Sequence, residues 1–124
     1  MLSLPLVAAL AACPTLFAQK PVDYQREVRP ILSAACFQCH GPDKATRMVD
    51  LRLDTREGLF SSRGGKAVVA PGKPAESLLV QRINHAQGAL RMPPAASKKS
   101  LTADQRALLE KLIAQGASWK EHWA

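Results

Sequence analysis

The stretch Cys36-Phe37-Gln38-Cys39-His40 places two thiols and an imidazole very close together in the chain. If it is helical, Cys36, Cys39 and His40 occupy positions i, i+3 and i+4, so their side chains share one face. Gly41 and Pro42 follow, and both residues disfavour continuation of a helix. Apolar residues precede the stretch at helical spacing, namely Val28, Ile31, Leu32 and Ala35. The sequence therefore predicts a helix that ends near His40.

The spacing Cys-x-x-Cys-His is the signature of c-type haem attachment. Two thiols on one helix face can each add to a haem vinyl group, and His40 can then present its imidazole to the iron. We expect His40 to bind the iron through Nε2, with Nδ1–H held by an acceptor, as is usual for metal-bound histidines. The carbonyl of Pro42 is the predicted acceptor.

Two other interpretations of the motif are a disulfide or thioredoxin-like redox pair and a zinc site. The redox pair is disfavoured because the motif ends a predicted helix, whereas in a thioredoxin fold it follows a strand and begins a helix. A zinc site would need a fourth ligand, such as His85 or His122, and adjacent Cys39 and His40 rarely bind one zinc ion. Haem attachment is therefore the preferred interpretation.

The first nineteen residues carry no charged side chain and contain a short apolar run followed by small residues. This pattern predicts a signal peptide over residues 1–18, with Ala18 as the cleavage residue. The run that ends at Cys13 also resembles a lipobox, which would make Cys13 a lipidated first residue. Either form predicts export to the periplasm or cell surface, with membrane attachment only in the lipidated form. Roughly 105 residues then remain, and the cytochrome-type domain is placed at residues 22–124.

Methionine commonly lies opposite histidine on the iron of c-type cytochromes. Met1 is lost with the signal. Met48 lies only eight residues after His40, and eight extended residues span about 26 Å, so it could reach the iron but would leave no length of chain for folding. Met92 lies in a loop stiffened by Pro93 and Pro94, which lowers the entropy cost of presenting its thioether. Met92 is therefore the predicted distal ligand. His85 is the alternative, and a vacant distal position stays open.

The remaining sequence predicts a small all-α domain with long loops and one minor β-hairpin. The predicted hairpin pairs residues 51–54 with residues 67–70, around a turn at residues 63–65. A second helix is expected over residues 76–83. The last helix begins at Thr102, which forms a capping box with Gln105, and ends at Gly116.

Lys and Arg outnumber Asp and Glu by 17 to 10, giving a net charge of +7 that lies wholly outside the predicted signal. No basic run with interleaved aromatic residues is present, so nucleic acid is not an expected partner. The charge is typical of a solvated basic surface or of one that attracts an acidic redox partner. Six aromatic residues are few for a core of this size, which favours a core completed by a large flat cofactor.

Several further motifs occur in order along the chain. They are Val22-Asp23-Tyr24, Val28-Arg29-Pro30-Ile31-Leu32, Cys39-His40-Gly41-Pro42-Asp43, Leu51-Arg52-Leu53-Asp54, Val69-Ala70-Pro71-Gly72-Lys73-Pro74, Arg91-Met92-Pro93-Pro94 and Gly116-Ala117-Ser118-Trp119. With this set the chain resembles the Planctomycete-type cytochrome c domain from about Val22 to Ala124.

The resemblance implies a class I-like cytochrome c fold with one covalent haem c, thioether bonds at Cys36 and Cys39, and His40 and Met92 as axial ligands. Because two protein ligands would leave no open position on the iron for a substrate, we expect an electron carrier rather than an enzyme, acting with redox partner proteins. The family commonly occurs at the N-terminus of large exported proteins, so a free carrier and a built-in electron port are both expected forms. The alternative is a haem-based sensor or enzyme domain with a displaceable distal ligand, and a structural module without redox activity is a third interpretation.

Overall fold

The computed structural model describes residue 3 and residues 20–119. Most of the predicted signal, including Cys13, lies outside the described residues, as does His122. The described part is mostly helical with one small two-stranded antiparallel sheet. Within it, no helix is both long enough and apolar enough to cross a membrane.

The chain enters the domain through a π-helical turn, Tyr24–Val28, that runs directly into helix α1, Arg29–Ala35. Asp23 caps the turn by accepting a hydrogen bond from the backbone of Arg26. Pro30 lies in the first turn of α1, where its missing N–H costs no helical hydrogen bond. The helix bends at Cys36 and continues as the short helix α2, Phe37–His40.

Helix α3, Arg56–Leu59, follows a loop, and helix α4, Leu78–Ile83, follows a 3₁₀ turn at Pro74–Glu76. The predicted second helix is therefore confirmed in its apolar part, but it begins later than expected because Ser77 is its N-cap. Ser77 is fully buried, and its Oγ accepts from the backbone of Ala70 and donates to that of Lys73.

The predicted hairpin exists at a different place. Strand β1 is Ser62–Arg63 and strand β2 is Lys66–Ala67, with Ser62 opposite Ala67 and Arg63 opposite Lys66. The prediction that residues 51–54 form a strand was wrong. The backbone N–H of Leu53 in that segment donates to the carbonyl of His40 at 2.7 Å, so the segment supports the haem motif instead of a sheet.

Helix α5, Ala103–Ala114, has the predicted capping box between Thr102 and Gln105. It ends as predicted, since Gly116 has a φ of 99°, a value that glycine adopts readily. It packs against the π-helical turn and α4. The buried apolar residues of all these elements form one cluster, which contains Tyr24, Val28, Leu32, Leu53, Leu59, Val69, Leu79, Val80, Ile83, Leu109, Leu112 and Ile113.

Candidate haem-binding site

The two cysteines and the histidine of the motif lie on one helical turn. The backbone N–H groups of Cys39 and His40 both donate to the carbonyl of Cys36, at 3.2 Å and 2.8 Å. This bonding gives the i, i+3 and i+4 relation that the spacing predicts, so the three side chains share a face. Both thiols are free. The turn thus presents two unpaired thiols and an imidazole in the order that c-type haem attachment needs.

Cys36 is partly buried. Burial raises the pKa of its thiol to about 11, against the opposing effect of the Lys99 charge, while the neighbouring Cys39 adds a smaller upward contribution. Cysteines that act as redox nucleophiles have a lowered thiol pKa instead. The environment of Cys36 is therefore unlike that of a thioredoxin-type pair.

His40 is half-buried, and burial is the main reason that its pKa lies below its usual value. Backbone groups of Leu51 and Met48 favour the protonated ring, while the nearby charge of Arg63 acts with burial to favour the neutral ring. A neutral imidazole is the form that binds a metal. The side chain is thus held in the protonation state that iron ligation requires.

The Nδ1 atom of His40 is buried and makes no hydrogen bond within the described part of the chain. The carbonyl of Pro42, the acceptor predicted from sequence, instead accepts from Nη2 of Arg47 at 3.0 Å. The backbone groups that act on the ring are those of Leu51 and Met48, which belong to the loop after the motif. This loop was not identified from the sequence as a partner of the histidine.

Four consecutive carbonyls at the end of the motif accept hydrogen bonds from residues 47–53, an arrangement that we call the carbonyl cap. The backbone of Met48 donates to Cys39 at 2.7 Å and that of Leu53 donates to His40 at 2.7 Å. The Arg47 side chain donates to the next two carbonyls, from Nε to Gly41 at 2.9 Å and from Nη2 to Pro42 at 3.0 Å. The end of α2 is thereby satisfied by one short segment.

Sequence reasoning missed Arg47. The available signal was a basic residue shortly after a helix end, where such side chains commonly bond to the last carbonyls. That signal is weak in a chain with 17 Lys and Arg residues.

The predicted distal ligand, Met92, is half-buried. Its backbone N–H donates to the carbonyl of Arg82 in α4 at 2.9 Å. Arg91, the residue directly before Met92, donates from Nε to the carbonyl of His85 at 2.7 Å and from Nη2 to that of Ala86 at 2.9 Å. The Met92 bond thus ties the methionine loop to α4, whereas the two Arg91 bonds lie within the loop itself.

The other candidate ligands have different surroundings. Met48 is 58% exposed. His85 uses Nδ1 to accept from the backbone of Gln87 at 3.0 Å. Across residue 3 and residues 20–119, no group of three or more His, Cys, Asp and Glu side chains is arranged to hold a metal ion. The described residues therefore do not assemble the multi-ligand set of a structural zinc site.

The residues present fit a c-type haem. Two free thiols share a face with a neutral, partly buried imidazole, which matches the donor set for two thioether bonds and one iron–nitrogen bond. Partly buried apolar side chains flank the motif, including Ile31, Phe37 and Leu51. Fold and motif together define a small, mostly helical domain of the cytochrome type.

Comparison with protein families is consistent with this class. Residues 36–96 match the family model described as Planctomycete cytochrome C, so the chain contains a Planctomycete-type cytochrome c domain. The matched segment begins at the first cysteine of the motif and includes Met92. The cytochrome c family implies covalently bound haem c.

The chain is also similar to a much longer protein. It is 29% identical over 132 residues to hydrazine synthase subunit alpha of Kuenenia stuttgartiensis, covering 85% of this chain and 16% of that protein. A solved structure, Kuenenia stuttgartiensis hydrazine synthase, superposes with a TM-score of 0.51 at 27% identity, covering 85% of this chain and 17% of the other. The chain thus spans about a sixth of the length of this relative.

Proposed function

We propose that the domain transfers single electrons through one covalently attached c-type haem with His40 and Met92 as axial ligands. The observation that carries the proposal is the attachment turn itself, with Cys36, Cys39 and His40 on one face inside the segment that matches the cytochrome family. When bound, the haem supplies an iron that alternates between the ferrous and ferric states.

In this proposal the protein binds and orients the haem. Cys36 and Cys39 provide the thioether sulfurs, and His40 provides a neutral imidazole nitrogen. Met92 provides a thioether to the opposite side, a ligand pair that raises the reduction potential. With both axial positions filled by protein, no position is open for a substrate, so electron transfer is the activity that the donor set supports.

The Nδ1–H group of His40 needs an acceptor in the haem-bound form. We propose that a carbonyl of the loop at Leu51 or Met48 takes this role, because backbone groups of both residues act on the ring. The carbonyl of Leu51 is the better suited of the two, because that of Met48 already accepts from the backbone of Leu51 at 3.3 Å, as that of Pro42 accepts from Arg47.

The attachment is tested by expression in a host with cytochrome c maturation machinery. The wild type should give red protein whose haem stays with the chain in denaturing electrophoresis, and the double variant Cys36→Ser, Cys39→Ser should give none. Colourless wild-type protein with two alkylatable thiols would overturn the proposal.

The distal ligand is tested by Met92→Ala, with His85→Ala as the matched control. Met92→Ala should remove the weak far-red absorption band of Met–Fe(III) ligation, lower the potential and permit carbon monoxide to bind rapidly. His85→Ala should leave all three properties unchanged. A Met92→Ala protein that behaves as the wild type would reject the assignment.

A second candidate function is an enzyme or sensor domain with a displaceable distal ligand. It is favoured by the similarity to hydrazine synthase subunit alpha, which is an enzyme subunit by name and of which this chain spans 16%. Rapid carbon monoxide binding by the wild-type ferrous protein, without the far-red band in the ferric form, would select this function over electron transfer.

We further propose that the domain works outside the cytoplasm and docks with an acidic redox partner. The support is the signal-like sequence at residues 1–18 and the net charge of +7. Electron-transfer rates with an acidic partner should fall steeply with ionic strength, and a rate that does not depend on salt would contradict the docking part.

A further inference from the structure

Arg47 supplies two of the four bonds of the carbonyl cap and is the one side chain among the donors. Its side chain is only 10% exposed, whereas that of its ion-pair partner Asp50, at 3.5 Å, is 94% exposed. Because Asp50 is almost fully exposed, this ion pair adds little stability. The guanidinium is therefore held in place chiefly by its two bonds to backbone carbonyls.

The two carbonyls that Arg47 binds belong to Gly41 and Pro42, the residues directly after His40. A guanidinium is a planar fork whose N–H groups can bind two neighbouring acceptors at once, which a lysine ammonium on its flexible stem does less well. Bonds from a charged donor are also stronger than those between neutral groups. The fork thus fixes the two peptide units that follow His40.

We propose that Arg47 is a positioning residue for His40, holding the backbone after the histidine so that the imidazole plane keeps one orientation on the iron. This inference rests on the proposed function, because it concerns a ligand of the haem iron. Mutation of outer groups that orient a metal ligand typically costs about 10–100-fold in metal affinity or activity.

Arg106 offers a matched control. It also donates from its guanidinium to one backbone carbonyl, that of Leu101 at 2.8 Å, and it is likewise partly buried. It lies in α5, outside the haem motif and outside the carbonyl cap. Gln variants at the two positions therefore remove the same charge, Lys variants keep it, and both replace a guanidinium that binds backbone carbonyls, near the histidine in one case and away from it in the other.

The test compares Arg47→Lys and Arg47→Gln with Arg106→Lys and Arg106→Gln in the haem-loaded protein. The main measurement is the set of haem methyl proton shifts in the ferric form, which depends on the orientation of the axial ligands. Both Arg47 variants should change this set, including Arg47→Lys, which keeps the charge. Arg47→Gln should also lower the midpoint potential because a cation near the iron is lost. Both Arg106 variants should match the wild type in these shifts.

Methyl shifts of Arg47→Lys that coincide with those of the wild type would overturn the inference, even if its melting temperature falls. If Arg47→Gln does not accumulate as folded protein, the comparison of Arg47→Lys with Arg106→Lys decides the matter alone. Haem staining of all variants separates this result from the proposed function, since loss of haem from the wild type itself would reject that function first.

Discussion

Gly41 occupies the one position in the motif region where the backbone leaves no space for a side chain. A Cβ atom at this position would lie 2.1 Å from the carbonyl oxygen of Phe37, far inside contact distance. The φ of Gly41 is −126°, so the requirement for glycine comes from the close approach of the α2 backbone and not from a left-handed conformation.

We expect Gly41→Ala to destabilise the haem-loaded protein by about 1–3 kcal/mol, the usual cost of forcing extra atoms into a packed region. The measurement is the denaturant midpoint at constant slope. Gly88→Ala is the control, because a Cβ there would meet no atom within 4 Å. Equal midpoints for the two variants would show that the α2 end relaxes freely.

Tyr24 is a second residue whose burial carries a free-energy cost, because its hydroxyl group is polar. Its ring is buried and stacks on Trp119 with centroids 4.3 Å apart, and its hydroxyl has no hydrogen-bond partner in the described residues. Burial raises the pKa of the hydroxyl to about 12, while the charge of Arg29 lowers it and that of Asp54 raises it. The folded state thus holds the phenol proton more tightly than the unfolded chain.

Because the folded pKa is the higher one, the contribution of Tyr24 to stability is fully present below about pH 10 and is lost as the pH rises to about 12. We expect this loss to be on the order of 2 kcal/mol. Tyr24→Phe should remove that part of the alkaline decline while changing stability little at neutral pH. Parallel stability curves for the two proteins from about pH 9 to about pH 12 would contradict this expectation.

At the scale of elements, α5 is the helix whose sequence most directly specifies its ends. The hydroxyl of Thr102 accepts from the backbone of Gln105 at 3.1 Å, and the side chain of Gln105 accepts from the backbone of Thr102 at 2.9 Å. Both bonds are local, so they form without help from the rest of the fold. The buried face of the helix, with Leu109, Leu112 and Ile113, then anchors it to the core.

Thr102→Ala should cost about 1 kcal/mol of stability. The backbone N–H of Gln105 loses the hydroxyl that accepts its hydrogen bond, and the reciprocal bond from the backbone of residue 102 to the Gln105 side chain loses its support. Thr102→Ser keeps the hydroxyl and should stay close to the wild type. The thermal midpoints of the two variants check the expectation. If the serine variant loses as much as the alanine variant, the capping hydroxyl is not the stabilising group.

The loop at residues 47–53 is an element of a different kind, because its structure depends on what it contacts. The alternating apolar residues at positions 51 and 53 predicted a strand. The backbone of this segment does form a hydrogen bond to another part of the chain. Its partner is the end of α2, through the bond from Leu53 to His40, and not another strand. The Gly64-Gly65 turn closes the nearer hairpin, β1 with β2, at a smaller entropy cost.

For the whole molecule, the core formed by the described residues is small. Sixteen apolar residues are buried there, and Tyr24 is the one aromatic residue among them. A domain of this size gains little stability from apolar burial alone. A covalent haem packed on the attachment face would add a large apolar surface to the core.

We therefore expect the haem-free chain to be largely unfolded. The double variant Cys36→Ser, Cys39→Ser provides such a chain, and its circular dichroism should show little helix and no cooperative thermal transition. The haem-loaded wild type is the reference. Native-like helix content and a cooperative melt in the double variant would show that the protein core is sufficient by itself.

The sequence by itself determined the features that depend on residues close together in the chain. These are the helical turn that brings Cys36, Cys39 and His40 to one face, the capping box of α5, the glycine that ends it, and the family to which the motif points. Each follows from local spacing, because helix geometry and capping bonds involve residues at most four positions apart.

Only the tertiary structure decided which backbone groups support the motif and where the small sheet forms. The carbonyl cap joins Arg47 and Leu53 to the end of α2, and the charge of Lys99 acts on the pKa of Cys36 although the two residues are far apart in the chain. The physical reason is that a buried backbone N–H or carbonyl group needs a hydrogen-bond partner. Many backbone groups are chemically equivalent as partners, so the choice is made only when the packed chain brings one of them within hydrogen-bond distance.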